Sequence, residues 1–334
     1  MKQLLKQLTE TFGPSGYEDE VRKLVRAEVE PLADEIQVDA LGNLIARKKP
    51  TKPSKDTKKI MIAAHMDEIG LMVSHVDERG FVRFSPIGGV FGKYVHGGRV
   101  RFLNGVHGVI GYDRFDKAHE APALDKVFID VGATSQKDCP VKVGDVAAFD
   151  RPFIEMGDRL VAKSMDDRVG VLVAIETLRA LKSTPHDVYF VFTTQEEVGV
   201  RGATTSAFGI DPDLGIALDV TPAADTPDAA KMEMALGKGP CIKIKDAGAL
   251  SDPRVVQWMI RTAEKNNIPY QREVLLFGGT DARAMQGTRS GVPSGCISVA
   301  TRYVHSPSEM VDYTDIQNSV KLLTALLRAS IALE

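Results

Sequence analysis

Apolar residues recur at helical spacing in two segments near the start of the chain, 2–11 and 17–32, with Pro14-Ser15-Gly16 between them. This spacing predicts two amphipathic helices, and the proline and glycine predict the break that separates them. Three short runs then have the composition of β-strands: 35–38, 43–46 and 60–64. The third run is continuously apolar, which is typical of a buried strand.

The pattern changes between about 69 and 162, where helical periodicity disappears and glycines become frequent. Short β-branched runs alternate there with turn signals, and Asp77-Glu78-Arg79-Gly80 and Asn104-Gly105 each stand between two apolar strands. We therefore predict that residues 69–162 form a small β-barrel-like domain inserted into a larger one.

Helices and strands alternate again beyond residue 163. The predicted helices lie at 168–182, 253–266 and 314–331, and the predicted strands lie at 188–194, 214–218 and 296–299. Such alternation is typical of a parallel sheet with helices on both faces. The expected fold class is therefore α/β, with a mostly parallel sheet sandwiched by helices and formed by residues 1–68 and 163–334.

The formal charge is nearly balanced, with 42 basic residues, 45 acidic residues and a net charge of −3. This balance argues against a nucleic acid or an anionic membrane as a partner. Three well-separated cysteines favour a reducing compartment over a disulfide framework. No apolar run approaches the roughly 20 residues of a membrane-spanning helix, and the first helix lacks the apolar core of a signal peptide. We therefore expect a cytoplasmic protein.

Side chains that can bind metals follow four of the predicted strands. They are His65 with Asp67, Glu196 with Glu197, Asp219, and His305. Ligands of open α/β sheets bind outside the carboxyl ends of the strands, so these side chains are expected to meet at one edge. Asp166 stands where a helix begins, and free backbone N–H groups there could hold its carboxylate with both oxygens outward. That geometry suits a carboxylate that bridges two metals.

Imidazole and carboxylate ligands without thiolates favour divalent zinc or cobalt, with manganese as a further option, over a structural zinc site. Two such ions could share a water and lower its pKa, so we expect two per subunit. Glu196 is left over as a ligand and is the candidate general base. Asp67 lies two residues from His65, on the same face of an extended strand, and is expected to orient that imidazole.

Six motifs span nearly the whole chain: His65-Met66-Asp67-Glu68-Ile69-Gly70, Met165-Asp166-Asp167-Arg168-Val169-Gly170, Gln195-Glu196-Glu197-Val198-Gly199, Ala217-Leu218-Asp219-Val220, Gly278-Gly279-Thr280-Asp281-Ala282 and Arg302-Tyr303-Val304-His305-Ser306. In this order they resemble the glutamyl and tetrahedral aminopeptidases, a family of self-compartmentalising enzymes with two metal ions. Each motif is weak alone, and six in register are specific. The whole sequence is most similar to the leucine-preferring members that use cobalt or zinc.

The resemblance implies a role for each candidate residue. His65 and Asp219 would hold one metal, and Glu197 and His305 would hold the other. Asp166 would bridge the two ions, with Glu196 as the base. The resemblance also implies cleavage of short peptides from the N-terminus. It implies a homododecamer built from dimers, in which the inserted domain serves dimerisation and assembly.

Some of these residues also have simpler interpretations. Gly278, Gly279 and Thr280 could line the substrate pocket, where glycines let a peptide approach the backbone, or form an ordinary turn in which Asp281 caps the next helix. Asp167 is best explained as a first-turn acid that complements a helix dipole. The remaining histidines are interpreted as structural or solvent-facing: His75, His96, His107, His119 and His186.

Other functions stay open at this point. A dinuclear carboxypeptidase, dipeptidase or deacylase would use the same ligands on other amides. An endoglucanase-like glycosidase needs two carboxyl groups that face each other across a bond, whereas the adjacent Glu196 and Glu197 would diverge along a strand. A metal-binding scaffold without catalysis would have no use for a carboxylate such as Glu196 beside the ligands.

Overall fold

The computed structural model describes residues 1–113, 121–331 and 333, so His119 and residues 114–120 of the predicted insertion lie outside the described residues. The helices are α1 (Lys2–Glu10), α2 (Asp19–Val29), α3 (Gly92–Val95), α4 (Met165–Ala180), α5 (Arg201–Ile210), α6 (Pro253–Lys265), α7 (Asp281–Gln286) and α8 (Tyr313–Arg328). Short 3-10 turns lie at Leu124–Lys126 and Gln136–Asp138. In the described part of the chain, no helix is both long and apolar enough to cross a membrane.

The strands lie in two separate sheets. They are β1 (Glu35–Val38), β2 (Leu44–Lys48), β3 (Lys59–His65), β4 (Gly70–Val76), β5 (Val82–Ile87), β6 (Arg99–Phe102), β7 (His107–Tyr112), β8 (Val127–Asp130), β9 (Val146–Phe149), β10 (Ile154–Met156), β11 (Arg159–Ala162), β12 (Asp187–Thr193), β13 (Leu214–Pro222), β14 (Cys241–Lys245), β15 (Gln271–Val274), β16 (Ser294–Arg302) and β17 (Glu309–Asp312).

The larger sheet has eleven strands in the order β1-β2-β12-β3-β13-β16-β17-β11-β10, with β14 and β15 attached through β16. Its central strands β12, β3, β13 and β16 are parallel to one another, whereas the outer pairs on this path are antiparallel. Parallel pairing needs a crossover connection, and α4, α5 and α7 precede β12, β13 and β16. The predicted α/β class is confirmed, and the parallel part of this mixed sheet is its centre.

Helices cover both faces of the large sheet, which explains why β3 reads as a continuous apolar run. Ile60 and Ile62 belong to a core with α1, α2, α4, α6 and α8 on one face. Met61 and Ala63 belong to a second core with α5 and α7 on the other face. Successive side chains of a strand point to opposite faces, so a strand with two covered faces has apolar residues at every position.

The smaller sheet closes into a barrel in the order β4-β5-β8-β7-β6-β9. Both predicted turns join antiparallel neighbours: Gly80 (φ 88°) follows β4, and Gly105 (φ 88°) follows β6. The barrel strands run between Gly70 and Phe149, whereas β10 and β11 pair in the large sheet. The division of the chain into domains at 69 and 162 stays a prediction.

Candidate active site

The predicted site residues lie at the edge where the parallel strands of the large sheet end. His65 is the last residue of β3, and Glu196 and Glu197 follow β12. Asp219 lies inside β13, which is longer than predicted because its pairing with β16 continues beyond that residue. His305 lies between β16 and β17.

A cavity of about 840 Å³ opens at this edge. Nine of the ten predicted site residues line it: His65, Asp166, Glu196, Glu197, Asp219, Gly278, Gly279, Thr280 and His305. The tenth, Asp67, is fully buried. The fold therefore brings together side chains that are far apart in the sequence.

The carboxylate of Asp166 lies between two imidazoles. Its Oδ1 is 3.0 Å from Nε2 of His65, and its Oδ2 is 3.4 Å from Nε2 of His305. The same Nε2 of His305 lies 3.3 Å from Oε1 of Glu197. Potential ligand atoms of His65, Asp166 and Glu197 all lie within 4.8 Å of one another. Each oxygen of Asp166 thus faces a different histidine.

Both imidazoles are oriented by backbone carbonyl groups. Nδ1 of His65 donates to the carbonyl of Asp67 at 3.1 Å, and Nδ1 of His305 donates to the carbonyl of Gly89 at 2.9 Å. A carbonyl oxygen only accepts, so Nδ1 carries the hydrogen and Nε2 is directed at the carboxylates. Gly89 lies between β5 and α3, so the barrel segment contributes directly to the site.

The carboxylate of Asp67 makes different contacts from those expected. It is 3.6 Å from Nδ1 of His65, beyond hydrogen-bond distance, and Asp67 contacts the ring through its own main-chain carbonyl. A role of Asp67 in orienting this imidazole stays a prediction. The carboxylate accepts hydrogen bonds from the backbone N–H groups of Glu196 (3.0 Å) and Glu197 (3.1 Å) and from the Ser15 hydroxyl (2.6 Å). Asp67 therefore fixes the loop that carries the candidate base.

The start of α4 also differs from expectation. Asp166 lies within the assigned helix, but its ψ of 107° is not helical, and its carboxylate faces the histidines instead of the helix N–H groups. The next residue has the capping contact, because Oδ1 of Asp167 accepts from the N–H of Gly170 at 2.9 Å. Asp167 is fully buried, and its Oδ2 has no hydrogen-bond partner among the described residues.

Uncompensated negative charge accumulates in the cavity. Burial and neighbouring carboxylates raise the pKa values of Glu196 and Asp219 well above the ordinary range. Burial opposes protonation of the histidines, but the contact with Asp166 and the negative charge of a second acid, Asp67 for His65 and Glu197 for His305, raise the pKa of His65 well above its ordinary value and that of His305 to about 12. Without a metal ion, the negative charge of these acids is offset only by protons on the acids and on the imidazoles. Divalent cations could offset the same charge, so the cluster fits a cation site.

Glu309 supports this cluster and was missed by the sequence reasoning. It is buried at the start of β17, and its two oxygens accept from the N–H groups of Asp166 (3.0 Å) and His305 (2.7 Å). Burial and the Asp166 carboxylate raise the pKa of Glu309 to about 8. The only sequence signal for Glu309 was its position four residues after His305. An acidic residue so close to a histidine does not by itself indicate a supporting role.

The predicted substrate-binding segment forms one wall of the cavity. Thr280, and not Asp281, caps α7, since its hydroxyl accepts from the N–H of Ala282 at 3.2 Å. The Asp281 carboxylate is buried and accepts from the Thr193 hydroxyl at 2.6 Å. Apolar side chains form much of the remaining lining: Phe91, Tyr94, Met232, Leu275, Phe277 and Tyr303.

The chain is similar to known proteins over nearly its whole length. Residues 42–322 match the family model described as M42 glutamyl aminopeptidase. A lysyl aminopeptidase of Pyrococcus furiosus is 38% identical, over 97% of this chain and 96% of its own length. The structure of aminopeptidase APDkam598 from Desulfurococcus kamchatkensis has a TM-score of 0.93 and 43% identity, covering 98% of this chain and 94% of that chain. A Pyrococcus horikoshii TET1 peptidase, which can assemble into a tetrahedron or a large octahedral shell, has a TM-score of 0.87 and 32% identity, covering 98% of both chains.

Proposed function

Since the chain belongs to the M42 glutamyl aminopeptidase family, it is a metal-dependent aminopeptidase, and we propose that Asp166 bridges two divalent ions in its active site. The observation that carries this proposal is that the two oxygens of Asp166 face Nε2 atoms of different histidines, at 3.0 and 3.4 Å. A carboxylate in this position can serve one metal with each oxygen.

The remaining ligands divide around that carboxylate. In this proposal His65 and Asp219 hold one ion, and Glu197 and His305 hold the other. The contact between Glu197 and His305, at 3.3 Å, supports the second pair. Nitrogen and carboxylate donors suit zinc or cobalt, with manganese as a third option.

Bound divalent ions supply Lewis acidity, which polarises the scissile carbonyl and acidifies water. The chain supplies the proton transfer through Glu196. Its carboxylate lines the cavity, has no hydrogen bond to another described residue, and stands on a backbone held by Asp67. Glu196 accepts a proton from the attacking water and delivers it to the leaving amine. Asp67 thus acts through Glu196, whose position it fixes.

The cavity lining supports a peptide substrate with a neutral N-terminal side chain. Gly278, Gly279 and Thr280 let a peptide backbone approach closely, and the apolar wall suits leucine-like residues. Arg302 pairs with Asp225 at 2.7 Å and does not line the cavity, whereas Lys93 and Arg283 do line it. The proposed preference for a neutral side chain therefore rests on the apolar wall. The acidic cluster favours the ammonium group of a free N-terminus.

The barrel is the proposed assembly element, as part of a dimerisation domain over 69–162 in a homododecamer built from dimers. The tetrahedral assembly of the Pyrococcus horikoshii relative supports this proposal. Large apolar side chains exposed on this segment also support it: Leu103, Val109 and Val143. We further propose a cytoplasmic location, which suits three cysteines that remain free thiols. If the native mass of the fully active protein were that of a monomer, the proposed assembly would be contradicted.

The activity is tested with free-amine and N-acetylated dipeptides and chromogenic amino-acid amides. Each substrate is assayed after chelation and after return of zinc, cobalt or manganese. The proposal expects cleavage that returns with metal and requires a free N-terminus, and the panel ranks the side-chain preference. Cleavage of acetylated substrates alone would indicate a deacylase or carboxypeptidase, and inactivity with two bound metals would indicate a scaffold.

A further inference from the structure

The segments that carry Asp166 and His305 meet through a pair of antiparallel strands. Ala162, at the end of β11, pairs with Glu309, at the start of β17. Asp166 follows β11 closely and His305 precedes β17 closely, so both lie near Glu309. Glu309 is 2% exposed, and its side chain is directed at the backbone of these two residues.

We propose that Glu309 is a positioning residue of the metal centre, whose carboxylate clamps the backbones of Asp166 and His305 in the orientation that metal binding requires. This inference rests on the proposed function and adds a residue to it. Oε2 accepts from the N–H of Asp166 at 3.0 Å, and Oε1 accepts from the N–H of His305 at 2.7 Å. One side chain thereby connects the backbone of the proposed bridging residue to the backbone of a proposed terminal ligand.

The backbone at His305 needs such a support. His305 has a φ of 62° and Tyr303 has a φ of 61°, in the left-handed region that costs a residue with a side chain about 1–2 kcal/mol. Such conformations persist where the surrounding structure holds them. The hydrogen bond from the His305 N–H to Glu309 and the one from His305 Nδ1 to the Gly89 carbonyl fix the residue at both ends.

A carboxylate can do this, whereas a neutral amide of the same shape cannot. In Glu309→Gln one oxygen becomes an NH₂ group, which donates and cannot accept from a backbone N–H. Either Asp166 or His305 then loses its acceptor in a buried environment. Replacing a residue that supports metal ligands in this way typically weakens metal affinity by about 10- to 100-fold.

The test measures metal binding, with activity as a second readout. Full-length wild-type protein and Glu309→Gln are loaded with Zn²⁺ and dialysed against graded dipicolinate, and the retained zinc is counted per subunit. We expect Glu309→Gln to lose zinc at a chelator concentration about 10- to 100-fold lower than wild type. The absorption spectrum of the Co²⁺-loaded variant should also change, because the ligand geometry changes.

Asp315→Asn is the matched control. Asp315 is also buried and accepts from two backbone N–H groups, those of Gly237 (2.7 Å) and Gly239 (2.6 Å), but it contacts none of the proposed ligands. Its replacement should lower the melting temperature and leave zinc retention and the cobalt spectrum unchanged. Equal zinc loss in both variants would show general destabilisation and overturn the proposal.

Wild-type retention of zinc by folded Glu309→Gln would also overturn it, while the peptidase activity of the wild type would still support the proposed function. If Glu309→Gln does not fold, hydrogen exchange of the wild type decides. The amides of Asp166 and His305 should be protected in both metal-loaded and metal-free protein. Fast exchange at both amides in the metal-free protein would refute the clamp.

Discussion

Replacing Arg168 by methionine should lower the free energy of unfolding by about 3–5 kcal/mol, because its guanidinium joins three segments in the interior. Arg168 is fully buried near the start of α4. Its Nε donates to the carbonyl of Met66 at 2.6 Å, and its Nη1 donates to the carbonyls of Leu8 and Thr11. It therefore ties the end of α1 to the loop that carries His65.

The magnitude follows from what the methionine cannot replace. Two buried carbonyl groups and one half-buried carbonyl group lose their donor, and an unsatisfied buried group costs about 1–3 kcal/mol. Methionine retains much of the apolar stem. Glu68, 3.7 Å from Nη2 of Arg168, keeps its shorter ion pair with Lys163 at 2.6 Å. The net loss therefore comes mainly from the two buried carbonyl groups, which together cost about 2–6 kcal/mol, a range that contains the expected loss.

The assay is urea unfolding of the metal-saturated protein, followed by circular dichroism. The free energies of unfolding of variant and wild type are compared if the slope m against urea concentration is the same in both. Arg179→Met on the same helix is the control, because Arg179 is 41% exposed and pairs with Glu28 at 2.6 Å on the surface. That pair should contribute no more than about 1 kcal/mol. A loss for Arg168→Met below about 1 kcal/mol, or equal to the control, would refute the reasoning.

Three further predictions concern single side chains. Glu196→Gln should bind both metals and assemble normally but lose about 10²- to 10⁴-fold in kcat, and near-normal turnover of an amino-acid amide would contradict its role as the base. Asp166→Ala should weaken both metal sites, so two tightly held ions in elemental analysis of this variant would contradict the bridge. Burial and the charge of Asp67 raise the pKa of Glu18 from 4.5 to about 7. Between these two pH values the folded protein binds more protons than the unfolded chain. The ionisation of Glu18 therefore lowers the stability of the fold as the pH rises from 4.5 to 7. Glu18→Gln keeps the oxygen that accepts from the backbone N–H groups of Gly16 and Gln195. This variant should be more stable than wild type by up to about 3 kcal/mol above pH 7.5 and equally stable near pH 4. Equal melting temperatures of the two proteins at pH 8 would contradict this prediction.

The sequence predicts most of the large elements because their patterns are local. The apolar run at 60–64, the turn at Gly80 and the helical spacing of α6 and α8 each depend on neighbouring residues only. The alternation of helices and strands likewise predicted the parallel centre of the sheet. The antiparallel outer strands depend on which edges meet in space, and the residues of β10 and β11 carry no local sign that these strands pair in the large sheet.

The sequence predicted which side chains come together in the candidate site, because residues that follow parallel strands lie at the same edge of the sheet. The supporting contacts of the site were not predicted, since they join residues far apart in the sequence. Ser15 donates a hydrogen bond to Asp67, and Lys163 is buried against Glu68. At Asp166 the sequence indicated a carboxylate held by free backbone N–H groups of the helix start, but the non-helical ψ of this residue turns the side chain to the histidines. Asp167, predicted as the first-turn acid, accepts from the N–H of Gly170.

The hydrogen bond from His305 to the Gly89 carbonyl has a consequence for how this protein can evolve or be engineered. A Cβ atom at Gly89 would overlap Nδ1 of His305, so a side chain at this position would displace the ring. A chimera that exchanged the barrel for that of a relative would have to keep both the glycine and the path of its connection to α3. The barrel segment and the loop that carries His305 must therefore match each other at this contact, so a change in the shape of one is constrained by the other.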